Sequence, residues 1–350
     1  MDISKIDNNF AERRDVSSKK DIRFYSIDEA PFKVYGVFKK DGIYRRMPED
    51  VAKKVSEGVY YLHTNTAGGR VRFKTDSTYV AIRAEVDSVG KMPHFALAGS
   101  AGFDLYADNI YVNTFVPPYD IEVSYESCID IGGSGIKDIT VNFPTYSNVK
   151  ALYIGLSDCA TVEAPTPYVS EKPAVFYGSS ITQGGCVSRP GATYQSIVSR
   201  KFNLDYINLG FSGNAKAEDM MIDYIKNLDM SLFVLDYDHN APNEEHLRAT
   251  HEKMFTAIRE AHPSLPIIIM SRPKHYLNEY EKERLEIITD TYEKAVAKGD
   301  ENVYLLTGAE LTALCGNEGT VDGCHPTDFG FASMASAVCS LIERENIKLI

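Results

Sequence analysis

The periodicity of apolar residues changes half-way along the chain, and this change constrains the fold more than any other feature. After a polar arm at residues 1–20, residues 21–165 contain short stretches in which apolar and polar side chains alternate, such as 70–75, 79–86 and 138–143. Strict alternation is typical of strands with one buried face. Turn clusters separate the stretches, and one helical segment lies at about 48–54. The first half therefore predicts an all-β domain, a sandwich or jelly roll, in which the glycines at 132–135 form a hairpin loop.

From residue 170 to residue 350 the pattern becomes one of apolar runs separated by helical stretches. The runs lie at 174–177, 206–209, 232–235, 266–270 and 303–306. Unbroken apolar runs of this length fit strands that are buried on both faces of a parallel sheet. The helical stretches include one that follows Asn243, a predicted N-cap, and one with an apolar stripe at Leu285, Ile288, Tyr292 and Val296. The second half therefore predicts an α/β domain with a parallel sheet, joined to the first by a proline-containing linker.

Composition excludes several classes of partner. Asp and Glu number 49 against 37 Lys and Arg, a formal net charge of −12, and no long basic cluster is present. Nucleic acid and anionic membranes are both recognised through basic patches, so neither is expected as a partner. No apolar run is long enough to span a bilayer. The polar start predicts a cytoplasmic protein, or a secreted one if a signal peptide has been removed. The six cysteines contain no CxxC pair and predict reduced thiols.

Four loops that follow predicted strands carry residues able to do chemistry, because ligands of open parallel sheets bind at the carboxyl ends of the strands. Ser180 lies in a turn of small residues after the first strand of the second half, where a nucleophile and backbone N–H donors meet. Asn240 and the 208–213 segment follow two further strands. The last loop places Asp322 three residues before His325, a spacing that lets a carboxylate orient an imidazole. Each signal alone is more simply read as a cap or a turn residue, but the four together are hard to obtain by chance.

The combination resembles the SGNH (GDSL-like) hydrolase superfamily, whose four sequence blocks occur in this order. The resemblance spans about residues 173–345 and implies a three-layer αβα, flavodoxin-like domain. It implies a triad of Ser180, His325 and Asp322, an oxyanion hole formed by Ser180, Gly213 and Asn240, and no metal or organic cofactor. This chain has Ser179 where many members have Asp, and Asp238 and His239 precede Asn240 where many have Gly.

The first half resembles the domain that precedes one GDSL-like subfamily, through the Gly-x-Asp-Leu-Tyr signature at 102–106. Members of that subfamily resemble bacterial carbohydrate esterases that remove acetyl groups. The resemblance implies a serine esterase acting on short acyl groups, with a small-molecule or oligosaccharide ester as substrate. The sequence leaves open whether the protein forms a homodimer. Residues on the same loops that are predicted to touch the substrate are Arg189, Asp238, His239 and Arg272, although a local salt bridge or cap is an equal alternative for each.

Three other functions remain open at the level of sequence. A metal hydrolase could use Asp236, Asp238, His239 and His325, but their spacing matches no compact ligand motif. A carbohydrate-binding protein could carry an inactive hydrolase domain, although all triad members are present. The same serine chemistry could act on non-carbohydrate esters, as a lipase or a thioesterase does.

Overall fold

In the computed structural model, which describes residues 3–7, 16–133 and 135–349, the first half of the chain consists of short antiparallel strands. The predicted arm at 1–20 lies partly outside the described residues. We call residues 22–163 the β-rich half. Its strands are β1 (Ile22–Ser26), β2 (Lys33–Tyr35), β3 (Phe38–Lys40), β4 (Ile43–Arg45), β5 (Arg70–Thr75), β6 (Tyr79–Ser88), β7 (Phe103–Ala107), β8 (Ile110–Phe115), β9 (Ser124–Asp130), β10 (Lys137–Asn142), β11 (Asn148–Ser157) and β12 (Val162–Glu163). Its helices are α1 (Glu49–Val55), α2 (Glu57–Leu62) and α3 (Leu97–Ser100).

Two antiparallel sheets of the β-rich half share one apolar core. One sheet has the order β1-β11-β6-β9, and the other has the order β12-β5-β10-β7-β8 with β2 beside β5. Alternate residues of β6, such as Val80, Ile82 and Ala84, meet residues of the second sheet such as Phe73 and Val141 in the core. The alternation seen in the sequence is therefore the inward face of a two-sheet packing.

A parallel sheet with helices on both faces forms the second part of the molecule, which we call the α/β half (residues 174–349). Its strands are β13 (Ala174–Gly178), β14 (Tyr206–Gly210), β15 (Leu232–Asp236), β16 (Ile267–Met270) and β17 (Val303–Leu306). Its helices are α4 (Ser180–Gln183), α5 (Tyr194–Phe202), α6 (Asp219–Ile225), α7 (Glu244–Ala261), α8 (Glu279–Ala297), α9 (Gly308–Leu311) and α10 (Asp328–Arg344). The strand order β14-β13-β15-β16-β17 reverses direction between β13 and β15. This is the flavodoxin-like order, so the predicted fold class is confirmed.

Side chains of the parallel sheet alternate between two apolar layers. Val175 and Tyr177 pack with α6, α7 and α8 on one face, whereas Ala174 and Phe176 pack with α5 and α10 on the other. Helices α1 and α2 belong to the first half of the sequence, yet their apolar residues join the first of these layers. The two halves are thus connected through a shared core as well as through the chain.

Two details differ from the sequence prediction. The glycine-rich segment at 132–135 joins β9 of one sheet to β10 of the other, so it connects two sheets and is not a hairpin loop. Helix α8 is slightly rotated relative to the predicted apolar stripe: Ile288 is buried and Tyr292 packs against the core as predicted, but Arg284 and Thr291 are buried too, whereas Val296 is exposed. The buried Arg284 guanidinium donates to the carboxylate of Asp238 at 2.7 Å. Among the described residues, no helix has both the length and the apolarity needed to cross a membrane.

Candidate active site

Ser180 lies where ligands of this fold class bind, at the carboxyl end of β13 beside the reversal of strand order. It is the first residue of α4, and its neighbour Ser179 caps that helix by accepting a hydrogen bond from the Ile181 amide at 3.1 Å. The turn requires glycine at 178, because a Cβ there would lie 2.1 Å from the Thr182 hydroxyl oxygen. The Ser180 side chain, although 91% of the residue is buried, faces the loop that carries His325.

Three predicted residues form one hydrogen-bonded chain. The Ser180 Oγ lies 2.9 Å from His325 Nε2. On the other side of the ring, His325 Nδ1 lies 2.7 Å from Asp322 Oδ2. The second oxygen of Asp322 accepts the backbone N–H groups of Cys324 and His325 at 3.0 and 2.7 Å. One carboxylate therefore folds the loop and also orients the imidazole towards the serine.

The charge of Asp322 is stabilised by these contacts. Partial burial opposes ionisation, but hydrogen bonds from the His325 amide, the His325 ring and the Cys324 amide outweigh it and lower the pKa of Asp322 to about 2. The carboxylate is consequently ionised throughout the neutral range. An ionised carboxylate at Nδ1 keeps the proton on that nitrogen and leaves Nε2 able to accept the proton of a hydroxyl.

The predicted oxyanion donors Gly213 and Asn240 lie on two loops that contact each other, and the Gly213 loop also contacts the helix that begins with Ser180. Gly213 has a φ of 69°, a left-handed conformation that favours glycine, and a Cβ there would meet nothing within 4 Å. The Asn240 side-chain amide donates to the Phe211 carbonyl at 2.8 Å, which fixes the amide beside the Gly213 loop. Gln183 accepts the Ser212 amide at 3.0 Å and so ties this loop to the helix that begins with Ser180.

Asp238 and Arg272, which were predicted to touch the substrate, are paired with other protein groups. Asp238 is 2% exposed and accepts hydrogen bonds from Arg272 Nε at 3.0 Å and Arg284 Nε at 2.7 Å. Burial opposes its ionisation, but the two guanidinium groups hold the pKa of Asp238 well below its usual range. Arg272 also contacts Glu281. The salt-bridge alternative therefore describes both side chains, and their effect on the site passes through the loop that carries Asn240.

His239 is placed differently. Its Nδ1 lies 3.8 Å from the Cys324 sulfur, while its Nε2 is buried and has no hydrogen-bond partner among the described residues. Burial, together with the nearby Arg272 charge, lowers the pKa of His239 to about 4, so the ring is neutral at physiological pH. Because this nitrogen is buried, it is not directed at a substrate in this structure, and the substrate contact of His239 stays a prediction.

The Gly-x-Asp-Leu-Tyr signature connects the β-rich half to the loop behind the nucleophile. Asp104, fully buried on β7, accepts the Gly191 amide at 2.8 Å and Arg189 Nη1 at 3.2 Å. The Tyr106 hydroxyl donates to the Gly191 carbonyl at 3.2 Å and also contacts Arg189. Arg189 is therefore held between the two halves in this structure. The signature serves as a docking contact for the segment at 184–193.

We expect Asp104→Ala to lower the free energy of unfolding by about 2–4 kcal/mol, because it leaves the Gly191 N–H and the half-buried Arg189 charge without their acceptor. Urea unfolding of the full chain measures the change. Asp130→Ala is the matched control, because the exposed ion pair with Lys19 is the one salt bridge that Asp130 forms with the described residues, and its loss should cost less than about 1 kcal/mol. Equal losses in the two variants would contradict the docking role.

Several residues at the site carried no sequence signal. The Tyr146 hydroxyl, from the β-rich half, donates to the Ser180 carbonyl at 3.3 Å. Tyr146 and Ser212 also line a groove of about 460 Å³ between the two halves, together with Tyr61, Asn65 and Met92. We call it the interdomain groove. Only the three-dimensional fold brings these positions together, since they lie far apart in sequence. A second cavity of about 490 Å³ is lined by the second half of α7, the end of α8 and the loop that follows α8.

The alternative set of metal ligands does not converge. Asp238 is occupied by two arginines, and Asp236 accepts hydrogen bonds from Thr182 at 2.8 Å and Tyr194 at 3.1 Å. Burial raises the pKa of Asp236 to about 7, which disfavours it as an anionic ligand. The arrangement of these residues therefore favours the serine-centred chemistry over the metal-centred one.

Family models match both halves of the chain. Residues 171–343 match the GDSL-like lipase/acylhydrolase family, and residues 22–162 match the amino-terminal domain of SGNH-hydrolase-type esterases. The chain carries a GDSL-like lipase/acylhydrolase domain at residues 171–343. The family assignment agrees with the order of the four loops, the flavodoxin-like sheet and the signature on β7. No protein of curated function matches the chain at the level of sequence.

Solved structures share the whole fold. A Bacteroides ovatus protein assigned as a GDSL-like lipase is 28% identical, with a TM-score of 0.82 over 94% of this chain and 99% of that one. A salicylyl-acyltransferase from a tetracycline biosynthetic pathway is 22% identical, with a TM-score of 0.76 and the same coverage. An acetyl xylan esterase from the rumen bacterium Butyrivibrio proteoclasticus is 12% identical, with a TM-score of 0.60 over 93% of this chain and 98% of that one. The two latter likenesses concern the fold alone.

Proposed function

We propose that this GDSL-like protein is a serine esterase that hydrolyses short acyl esters through an acyl-Ser180 intermediate. The observation that carries the proposal is the hydrogen-bonded chain from Ser180 Oγ through the His325 ring to Asp322, at the carboxyl ends of the parallel strands. His325 Nε2 takes the Ser180 proton as the oxygen attacks the ester carbonyl, and it then gives the proton to the departing alcohol. Water then attacks the acyl-Ser180 ester, with His325 again taking and returning the proton, and the acid is released. The Ser180 and Gly213 amides and the Asn240 side chain stabilise the oxyanion.

The substrate we propose is an O-acetyl ester of an oligosaccharide or polysaccharide. The interdomain groove adjoins Ser180 through Tyr146 and offers polar groups such as Asn65 and Ser212 for hydroxyls. Tyr61, with an exposed ring at its rim, provides a flat apolar surface for a sugar face. Several proteins with the same fold are named as carbohydrate esterases, including one from Cellvibrio japonicus (TM-score 0.62, 11% identity, over 93% of this chain and 98% of that one). The partner that we propose for this protein is therefore its substrate, a small-molecule or oligosaccharide ester.

A panel of substrates tests this function. Acetate release from acetylated xylo-, cello- and manno-oligosaccharides would be compared with hydrolysis of p-nitrophenyl esters of increasing chain length. We expect activity to be highest with acetyl groups and kcat/KM to be higher for the sugar esters than for p-nitrophenyl acetate. A preference for long acyl chains would favour a lipase or thioesterase instead. Ester turnover that rises when an alcohol acceptor replaces water would favour acyl transfer, and no turnover with any ester would favour a sugar-binding role.

Asn240→Ala should lower kcat on the order of 10²-fold or more with little change in KM, because the amide is proposed to act on the oxyanion of the transition state. Steady-state kinetics on p-nitrophenyl acetate measure both constants. The matched control is Asn243→Ala, three residues further on, which removes the cap of α7 and should reduce stability by about 1 kcal/mol while kcat stays similar. A change in KM alone for Asn240→Ala would contradict its place in the oxyanion hole.

A further inference from the structure

A second group of chemically reactive side chains lies against the triad. The ligand atoms of His94, Cys186 and His325 all lie within 4.8 Å of one another. The rings of His94 and His325 have their centroids 6.0 Å apart. The three residues come from three separate segments: the loop after β6, the turn after α4 and the loop before α10. The fold alone brings them together.

We propose that His94, Cys186 and His325 form a reversible binding site for a thiophilic divalent cation such as Zn²⁺, and that occupation of this site inhibits the enzyme. Two imidazoles and one thiolate are ligands that Zn²⁺ prefers, and the Cys186 thiol gives its proton to solvent as the cation binds. The fourth tetrahedral position remains for water or for the Ser180 oxygen. The inhibitory effect rests on the proposed serine mechanism. A cation on His325 Nε2 occupies the nitrogen that accepts the Ser180 proton, so the base is lost while the cation is bound.

The surroundings of His325 suit metal binding as well as catalysis. Its Nδ1 contacts the Asp322 carboxylate, which leaves Nε2 as the ring nitrogen directed into the site. A carboxylate behind a histidine is the usual way in which proteins orient an imidazole towards a metal ion. The same hydrogen bond therefore prepares the ring for either partner, the serine proton or the cation.

Cys186 is held in place by an unusual backbone. Its φ is 69°, in the left-handed region that a non-glycine residue rarely adopts, and its side chain is half-buried. The adjacent Gly185 passes close to the catalytic ring, because a Cβ there would lie 3.3 Å from His325 Cδ2. Non-glycine residues in such conformations cluster at functional sites, since the local cost must be offset by surrounding contacts. The strained turn fixes the thiol beside His325.

His94 supplies the adjustable ligand. It is exposed on the loop that follows β6, next to Phe95, whose ring packs on Tyr146 at 4.7 Å. Zinc bonds of roughly 2.0–2.3 Å require the three donors to approach one another more closely than they do in this structure. An exposed side chain on a loop can make that movement with little loss of packing. The cation would then bridge the β-rich half and the α/β half across the active site.

Inhibition by ZnCl₂ of the chelator-treated full-length protein tests the proposal. We expect Zn²⁺ to inhibit hydrolysis of p-nitrophenyl acetate and EDTA to restore it. His94→Ala and Cys186→Ser should each raise the half-inhibitory Zn²⁺ concentration at least about tenfold. Cys186→Gly provides a second thiol-free variant, because glycine adopts a φ of 69° without strain. Cys324→Ala is the matched control, since Cys324 adjoins His325 in sequence but lies outside the group of three, and its Zn²⁺ sensitivity should equal that of the wild type.

Binding of CoCl₂ gives a readout that does not need catalysis. We expect one Co²⁺ per chain, with a thiolate-to-cobalt charge-transfer band that disappears in Cys186→Ser and Cys186→Gly and persists in Cys324→Ala. Half-inhibitory Zn²⁺ concentrations that are unchanged in the His94 and Cys186 variants, or a cobalt spectrum without the thiolate band, would overturn the proposal. If no ester is hydrolysed, the proposed function fails, and the cobalt spectra still decide whether the metal site exists.

Discussion

Ser180→Ala should reduce ester hydrolysis by about 10⁴-fold or more while leaving the fold intact. Removal of the nucleophilic hydroxyl removes the covalent route, and only the oxyanion donors and substrate binding then accelerate the reaction. The fold should persist because Ser179, and not Ser180, caps α4, and because alanine is favourable at the first position of a helix. Release of p-nitrophenol and acetate measures the activity, and a fluorophosphonate label followed by mass spectrometry reports whether the adduct forms at residue 180.

The neighbouring serine provides the contrast. Ser179→Ala removes the cap and should cost about 1 kcal/mol of unfolding free energy, while the Ser180 hydroxyl and its contact with His325 remain. Ser180→Ala should therefore lose activity but keep its stability, whereas Ser179→Ala should lose stability with a far smaller loss of activity. Fluorophosphonate labelling of Ser180→Ala, or equal activity in Ser180→Ala and the wild type, would show that the nucleophile lies elsewhere.

The fold was predictable because its signals are local. Runs such as 232–235 are apolar throughout, as strands covered on both faces must be. The alternation in Arg70–Thr75 marks the apolar side that enters the core of the β-rich half, although Arg70 and Arg72 on its other side are buried too. The rotation of α8 was not predictable from the same kind of signal. Its buried face contains Arg284, which counts as a surface residue in any hydrophobic pattern, and its burial depends on the ion pair with Asp238 and on hydrogen bonds to Ala241 and Tyr280.

Contacts within the candidate site could be predicted from the sequence only where both partners lie in one short loop. The spacing of Asp322 and His325 predicts their contact, because three residues of a tight turn bring a carboxylate to a ring. Contacts between the two halves have no such local signature. From the β-rich half, Tyr146 contacts the Ser180 carbonyl, His94 lies beside His325, and Asp104 binds the Gly191 amide. Each lies far in sequence from its partner, so only the packing of the two halves brings them together.

Asp322→Asn should lower kcat by about 10²- to 10⁴-fold, an effect that depends on which atom faces the ring. The Asn oxygen can still accept the Cys324 and His325 amides, so the loop keeps its shape. The Asn nitrogen, however, takes the position of Oδ2 and donates to His325 Nδ1. This favours the tautomer with the proton on Nε2, which cannot accept the Ser180 proton. A loss near the lower end of this range is expected because the Asp322 side chain is 36% exposed. Water can then partly replace the carboxylate as the hydrogen-bond partner of His325 Nδ1.

The pH profile and a second aspartate separate this role from a structural one. Because its pKa is lowered to about 2, Asp322 stabilises the native state fully above about pH 4, and this contribution is lost only as the pH falls towards 2. The carboxylate is therefore ionised from about pH 5 to pH 8, and kcat of Asp322→Asn should stay below that of the wild type throughout this range. Asp328→Asn is the matched control, because Asp328 lies three residues beyond His325 but binds Ser188. A loss in Asp328→Asn as large as that in Asp322→Asn would mean that any change of charge near His325 disturbs the loop, and the orienting role of Asp322 would have to be abandoned.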